Sequence, residues 1–200
     1  MKKPVLVFWL LAAGLSVPAY AEQRASLASE DARLQELTAQ YTQHYQAGAY
    51  AEAIPLATQA LSLAEAVFGA DHERVAQVLN DLGRLYQSQY DMERAARMHE
   101  RALAIRERLF HADGPAVAQS LTNLAKVYLA QGRYAEAQTR CKQSLVIAER
   151  YLPADSPALI AVLEPYAAAL RGGEQLEAAT VIEARIQQIR AGRPGDAGPK

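Results

Sequence analysis

The chain has 200 residues, 50% apolar, 22% charged and 7% aromatic, a composition that excludes a disordered polypeptide and fits one globular domain. Its formal charge is -1; without Lys2 and Lys3, which open a segment read below as removable, 21 - 2 = 19 bases face 22 acids and the body carries 19 - 22 = -3. A mildly acidic body with no basic stripe cannot collect phosphates, which excludes nucleic acid as a partner, and a lone cysteine, Cys141, excludes an intramolecular disulfide.

In chain order, residues 1–21 come first: Met1-Lys2-Lys3, an apolar run from Val5 to Leu15, and the small-x-small triplet Ala19-Tyr20-Ala21. This pattern is that of a secretory signal peptide, with cleavage expected before Glu22. The apolar run falls short of the ~20 residues of a spanning helix, so no stable membrane insertion is expected after cleavage. No cysteine stands at the cleavage point to carry a lipid. The Lys-Lys start and Ala-Tyr-Ala end have a bacterial character, and the expected location is the periplasm or the medium. Residues 22–32 form a short lead-in.

From residue 33 to residue 190 the chain repeats itself with a period of 42. The stretch beginning at Val75 aligns without a gap on the stretch beginning at Val117: Leu79 on Leu121, Leu82 on Leu124, Tyr86 on Tyr128, Ala95 on Ala137, Leu103 on Leu145, Asp113 on Asp155 and Pro115 on Pro157. Degenerate copies flank these two, giving units near 33–74, 75–116, 117–158 and 159–190. A fixed period of this size is the mark of a stacked repeat architecture.

Each unit reads as two helices. In the third, Val117, Leu121, Leu124, Ala125 and Tyr128 recur at intervals of four and three and make one apolar face. Gly132 then suits the left-handed residue that follows a helix end. The second helix of unit two shows Met92, Ala95, Ala96, His99, Ala102, Leu103, Leu109 and Phe110 on one side. Asp113-Gly114-Pro115 and Asp155-Ser156-Pro157 offer a cap and then a proline where the next helices begin. Gly83 and Ala125 in first helices, and Ala53, Ala95, Ala137 and Ala179 in second helices, mark close crossings. A single hairpin cannot bury its apolar face, so the units are expected to stack around one continuous core.

Three features depart from the repeat. Gln40, Tyr41 and His44 stand where other units carry Leu, Gly or Ala, and Tyr, as expected of a terminal unit with one face in solvent. Pro165, and Pro55 earlier, remove a helix donor and are expected to kink or shorten their helices. Glu174 replaces the glycine of the third unit. Residues 191–200, with Pro194, Gly195, Gly198 and Pro199, read as a disordered tail.

The signature Leu-x-x-Leu-Gly/Ala-x-x-Tyr, then Gly-x-Tyr-x-x-Ala, then Ala/Ser-Leu with Ile two residues on, resembles the tetratricopeptide repeat (TPR). The 42-residue period, with Phe68-Gly69-Ala70-Asp71-His72 and Leu121-Thr122-Asn123-Leu124-Ala125, is similar to the longer form found in kinesin light chain. The resemblance implies an all-α fold, a TPR-type α-solenoid of about four helix-turn-helix repeats wound as a right-handed superhelix. It implies no ligand by itself.

Chemistry leaves little trace. There is no phosphate loop, no zinc-protease motif, no nucleophile elbow and no cysteine pair, and the four histidines are scattered at 44, 72, 99 and 111. His99 and Cys141 occupy equivalent positions, but two ligands make a poor zinc site, and packing is the better assignment. Glu93, Glu100, Glu107, Glu136 and Glu149, with Arg94, Arg97, Arg101, Arg106 and Arg150, read as solvated helix faces with weak ion pairs. No catalytic residue, metal or cofactor is expected.

The resemblance further implies that the first helix of each unit lines an inner groove that holds a peptide. The groove positions here include Thr38, Thr42 and Tyr45; Asn80, Asp81, Arg84 and Gln87; Thr122, Asn123 and Lys126; Glu164, Ala168 and Arg171. Of these, Asn80, Arg84, Gln87, Asn123, Lys126 and Arg171 are the candidate contacts, centred on units two and three. Asparagine amides can pair with a peptide backbone, and Arg84 and Lys126, one repeat apart, make a positive strip that favours an acidic segment. The expected function is a periplasmic or secreted scaffold binding a protein or peptide. The alternative is a structural module that self-associates as a homo-oligomer, or docks into an envelope assembly, through a last helix exposing Val181, Ile182, Ile186 and Ile189.

Overall fold

The computed structural model describes residues 17–110 and 113–192. Among them are eight α-helices and no strand: α1 (Val17–Gln46), α2 (Tyr50–Phe68), α3 (Glu73–Ser88), α4 (Met92–Phe110), α5 (Pro115–Ala130), α6 (Tyr134–Tyr151), α7 (Ile160–Gly172), preceded by a 3-10 turn (Pro157–Leu159), and α8 (Leu176–Ala191). They form four hairpins, each packed on the next through α2 against α3, α4 against α5 and α6 against α7. This is the expected all-α solenoid. Most of the expected signal segment, residues 1–16, and the expected tail beyond Gly192 lie outside the described residues; Val17 to Ala21 begin α1. Among the described residues no helix is long and apolar enough to cross a membrane.

The period of 42 is written into the backbone at the turns inside the hairpins. Gly48, Tyr90, Gly132 and Glu174 stand one period apart, and all four are left-handed, with φ of 74°, 62°, 72° and 61°. Gly132 behaves as its residue type predicts. Tyr90 and Glu174 adopt the same conformation with a side chain attached, so the turn is imposed by the packing of the two helices around it.

The core follows the spacing rule. Leu79, Leu82, Leu121, Leu124, Ala125 and Tyr128 are buried, as are Ala53, Ala95, Ala137 and Ala179 at the crossings. One crossing position shows how volume is shared between helices. In unit two, Gly83 faces the imidazole of His99, and a Cβ on Gly83 would lie 2.5 Å from its ring atoms. In unit three the equivalent buried pair is Ala125 and Cys141, and in unit one it is Tyr41 and Ala57. A large residue on one helix is answered by a small one on the other.

Four expectations need correction. Tyr41 is 3% exposed and fills its unit's crossing, so it is no solvent-facing terminal residue. Leu109 and Phe110 are 42% and 41% exposed, because α4 ends beyond the layer that α5 covers. Arg106 is buried at 4%: its guanidinium bonds Glu73 at 2.9 Å and Ser120 Oγ at 2.9 Å, pinning α4 to the first turns of α3 and α5. Asp113 does not cap α5; Gly114 holds that position without a side-chain bond, while Asp113 pairs with Arg150 at 2.5 Å. Ser156 does cap, accepting from Ala158 N. Pro165 sits in an α7 of 13 residues against 16 in α3 and α5, in line with shortening, whereas Pro55, close to the first turn of α2, leaves that helix its 19 residues.

The last helix does not present the expected apolar face. Ile186 and Ile189 are buried and Ile182 is partly buried against the core, leaving Val181 exposed with Leu176.

Candidate peptide-binding groove

The first helices of the hairpins, α1, α3 and α5, lie side by side, and polar side chains join them at the surface of the core. Tyr41 of α1 donates its hydroxyl to Asp81 Oδ2 of α3 at 2.8 Å. Arg84, one turn further along α3, lies 3.8 Å from Asp81 Oδ1 and stacks over the ring of Tyr45, 5.0 Å from its centroid. Burial pushes the Asp81 carboxyl above its usual range, against the opposing pull of the Tyr41 hydrogen bond and Arg84. Burial, with the Asp81 charge, also raises the Tyr41 phenol, so Tyr41 remains a donor at any physiological pH.

Two connected clefts open between α1 and α3. The larger, about 460 Å³, is lined by Leu34, Gln35, Thr38, Tyr41, Thr42, Gln43, Gln46, Arg74, Gln77 and Val78 among others. The smaller, about 160 Å³, shares Tyr41, Thr42 and Gln46 and adds Tyr45, Asp81, Arg84 and Leu85. Asp31 and Arg74, 3.3 Å apart, stand at the far end of the larger one. A cleft of some hundreds of Å³ with an apolar floor and a few polar groups has the character of a ligand site.

The six residues expected to form the groove divide into three groups. Asn80, Gln87 and Asn123 are brought together, but on a histidine. Asn80 Oδ1 accepts from Asn123 Nδ2 at 2.8 Å and lies 3.1 Å from His99 Nδ1, while the Gln87 amide lies 3.2 Å from His99 Nε2. Burial, reinforced by Arg84 and Arg106, pushes His99 down to about 4, so the imidazole is neutral and donates from one nitrogen only. Asn123 holds Asn80 Oδ1 as an acceptor beside Nδ1, and Gln87 Oε1 faces Nε2 on the other side of the ring. This network ties α3, α4 and α5 together, and Asn80 is buried within it.

Arg84 and Lys126 are both exposed, yet they are not alike. Arg84 is engaged by Asp81 and Tyr45, whereas Lys126 has no ion pair among the described residues. Arg171 lies apart on α7, where it pairs with Glu183 of α8 at 2.5 Å and lines a separate cleft of about 380 Å³ with Glu164 and Arg190.

Among the cleft residues that sequence reading did not place in the groove are Gln35, Tyr41, Gln43, Gln46, Arg74 and Gln77. The signal for them is the Tyr at position 41, where sibling units carry Gly83 and Ala125: its ring lines both clefts and its hydroxyl reaches Asp81 on α3. Another cleft, of about 600 Å³, lies away from this face, between α5 and α6, with Val117, Leu121, Lys142, Val146 and Ile147 in its lining. Among the described residues no group of three or more His, Cys, Asp or Glu side chains could hold a metal ion. His99 and Cys141 share no bond: Cys141 sits in an apolar cluster with Ala125, Leu145 and Leu163, and burial pushes its thiol up to about 12, far from a reactive thiolate.

The tetratricopeptide repeat family matches the chain over residues 42–108 and 116–187. Among solved structures the chain is similar to BtubC (BKLC) from P. vanneervenii, with a TM-score of 0.76 at 18% identity, covering 92% of this chain and 76% of that one. It is also similar to a putative kinesin light chain of Podosopora anserina with nearly identical TPR-like repeats, with a TM-score of 0.69 at 23% identity, covering 87% and 83%. A single-substitution variant of the latter gives 0.71 at 23% identity, covering 87% and 82%. At these identities the likeness is one of fold. No curated protein matches the chain in sequence.

Proposed function

Because this chain belongs to the tetratricopeptide repeat family, we propose that it is a non-catalytic scaffold that captures a segment of a partner protein along the face shared by α1, α3 and α5. One observation carries this reading. Thr42, Gln43, Gln46, Gln77 and Lys126 stand exposed on that face with no intramolecular hydrogen bond or ion pair, while nearly every arginine of the described body is already paired. Polar groups left open on adjacent repeats are what an extended ligand needs, since equivalent residues recur side by side along its path.

The acidic preference expected from the strip of Arg84 and Lys126 narrows to one point. Arg84 is compensated by Asp81, so a ligand carboxylate is favoured only where the segment crosses Lys126 of α5. Lys126→Glu is expected to weaken capture of the partner at least tenfold with unchanged helicity and melting, because an exposed unpaired lysine adds little to stability. Capture at wild-type strength by this variant would refute the role of α5.

We further propose that capture occurs outside the cytoplasm, in the periplasm or the medium, on the strength of the Lys-Lys start, the apolar run and the Ala19-Tyr20-Ala21 triplet. Mass spectrometry of the mature protein is expected to find Glu22 as its first residue, and a mature chain that keeps Met1 would refute export by cleavage.

A further inference from the structure

Within that groove reading, on which this inference rests, we propose that the clefts between α1 and α3 bind the main chain of an uncharged, extended stretch of about five residues of the partner. The lining contains two cations, Arg74 and Arg84, and each already has a carboxylate beside it: Asp31, across on α1, lies 3.3 Å from Arg74, and Asp81, on the same helix as Arg84, lies 3.8 Å from it. The paired charges stand at the two ends of the combined cleft, and nothing between them attracts an ionised side chain; a charged ligand residue would lose water there without gaining a partner.

Between the ion pairs the open groups are neutral and two-faced. Thr42 offers a hydroxyl, and Gln43, Gln46 and Gln77 each offer an amide with two donors and two acceptor lone pairs, none of them used within the protein. These are the groups that match alternating peptide N–H and C=O. Leu34, Tyr41 and Val78 supply an apolar floor for one side chain of the segment.

Length agrees as well. From Gln35 to Gln46 the lining runs along α1 for about 16 Å at 1.5 Å per residue, and an extended chain covers that distance in about five residues at 3.3 Å each. Asp81 cannot take part as a charge, because Tyr41 and Arg84 already occupy both its oxygens. The segment therefore passes over a wall whose electrostatics are closed, and its selectivity comes from hydrogen bonds and one apolar side chain.

The test is selection from a displayed library of random nine-residue peptides against the full chain and two variants. Wild-type selections are expected to contain a run of about five uncharged residues with one apolar member. The double variant Gln46→Glu with Gln77→Glu is expected to bind those peptides at least tenfold more weakly and to select runs containing Lys or Arg instead. The separate variant Lys126→Glu should leave the uncharged run in place and alter only residues flanking it. Selections that are acidic throughout, indifferent to the glutamine changes and lost with Lys126→Glu, would overturn this inference while leaving the groove reading standing. No enrichment of any peptide by the wild-type chain would overturn both.

Discussion

Units two and three share a backbone and 42-residue register, and they reach it with different chemistry. At the crossing, unit two uses Gly83 with His99 and unit three uses Ala125 with Cys141. At the start of the second helix, unit two pairs Asp91 with Arg94 and unit three pairs Arg133 with Glu136, the same two positions with the charges exchanged. In both units the arginine lies over the unit's own tyrosine, Arg94 above Tyr86 at 4.9 Å and Arg133 above Tyr128 at 4.1 Å. In these two units the repeat preserves a filled crossing and a cation over a ring, and it leaves open which position supplies each.

If that lesson holds, the largest effect should come from a device that unit three lacks. Arg106 is buried and bonds Glu73 and Ser120, where unit three has Ala148. Arg106→Ala is expected to destabilise by about 2.5 kcal/mol in chemical denaturation, because it leaves a gap where the buried guanidinium packs and strands buried Ser120, while half-exposed Glu73 turns to water. A change under about 0.5 kcal/mol would mean that the clasp is only a surface pair.

Next comes the crossing itself. Gly83→Ala should lower stability by about 2 kcal/mol, since the new methyl meets an imidazole held on both nitrogens. Adding His99→Cys converts the crossing to the Ala/Cys pair of unit three and should recover more than half of the loss. Failure to recover would show that the two crossings are not interchangeable.

The same histidine gives unit two a pH dependence that unit three lacks. Unfolded, His99 takes up a proton below about 6.5; folded, it refuses one until about 4. The folded state is therefore fully favoured above about 6.5 and loses about 1.4 kcal/mol per pH unit as pH falls through that window. Unfolding midpoints compared at pH 7 and pH 5 should show this slope in the wild type and a clearly reduced slope in the Gly83→Ala/His99→Cys variant, whose other groups are the same.

Smaller effects belong to the turns. Tyr90 is 88% exposed and left-handed, so Tyr90→Gly should raise stability by about 1 kcal/mol, while Gly132→Tyr should lower it by a similar amount. Of similar size, exchanging Asp91 and Arg94 for the Arg and Glu order of unit three should lower stability by about 1 kcal/mol in thermal melting, since the ion pair itself counts for little but the bond from Arg94 N to the Asp91 carboxylate at the start of α4 is lost.

The fold was legible because its evidence is periodic. Leu121, Leu124 and Tyr128 name the buried face of α5 by spacing alone, and Ala95 and Ala137 name the crossings. The candidate groove was legible only in part. Helix position told which residues of α3 and α5 face the neighbouring repeat, but not which of them the protein itself engages: Asn80 and Gln87 bond His99, a residue 19 positions from Asn80 on another helix, and Asn123 donates to Asn80. Arg106 escaped for the same reason, since a buried arginine has the local sequence context of an exposed one. The cleft escaped because its floor depends on Tyr41, which stands where sibling units carry Gly83 and Ala125 and whose contact with Asp81 lies 40 positions away in the chain.

The central claim is that the partner lies on the face of α1, α3 and α5, and site-specific photo-crosslinking in the native host tests it most directly. A photoreactive residue at Gln77, inside the cleft, is compared with one at Val146, half-exposed on α6 on the other side of the solenoid. A discrete partner is expected to crosslink from Gln77 and not from Val146, and the product is expected to be lost in the Gln46→Glu background. Crosslinking from Val146 with none from Gln77 would contradict that claim and place the partner on the outer cleft.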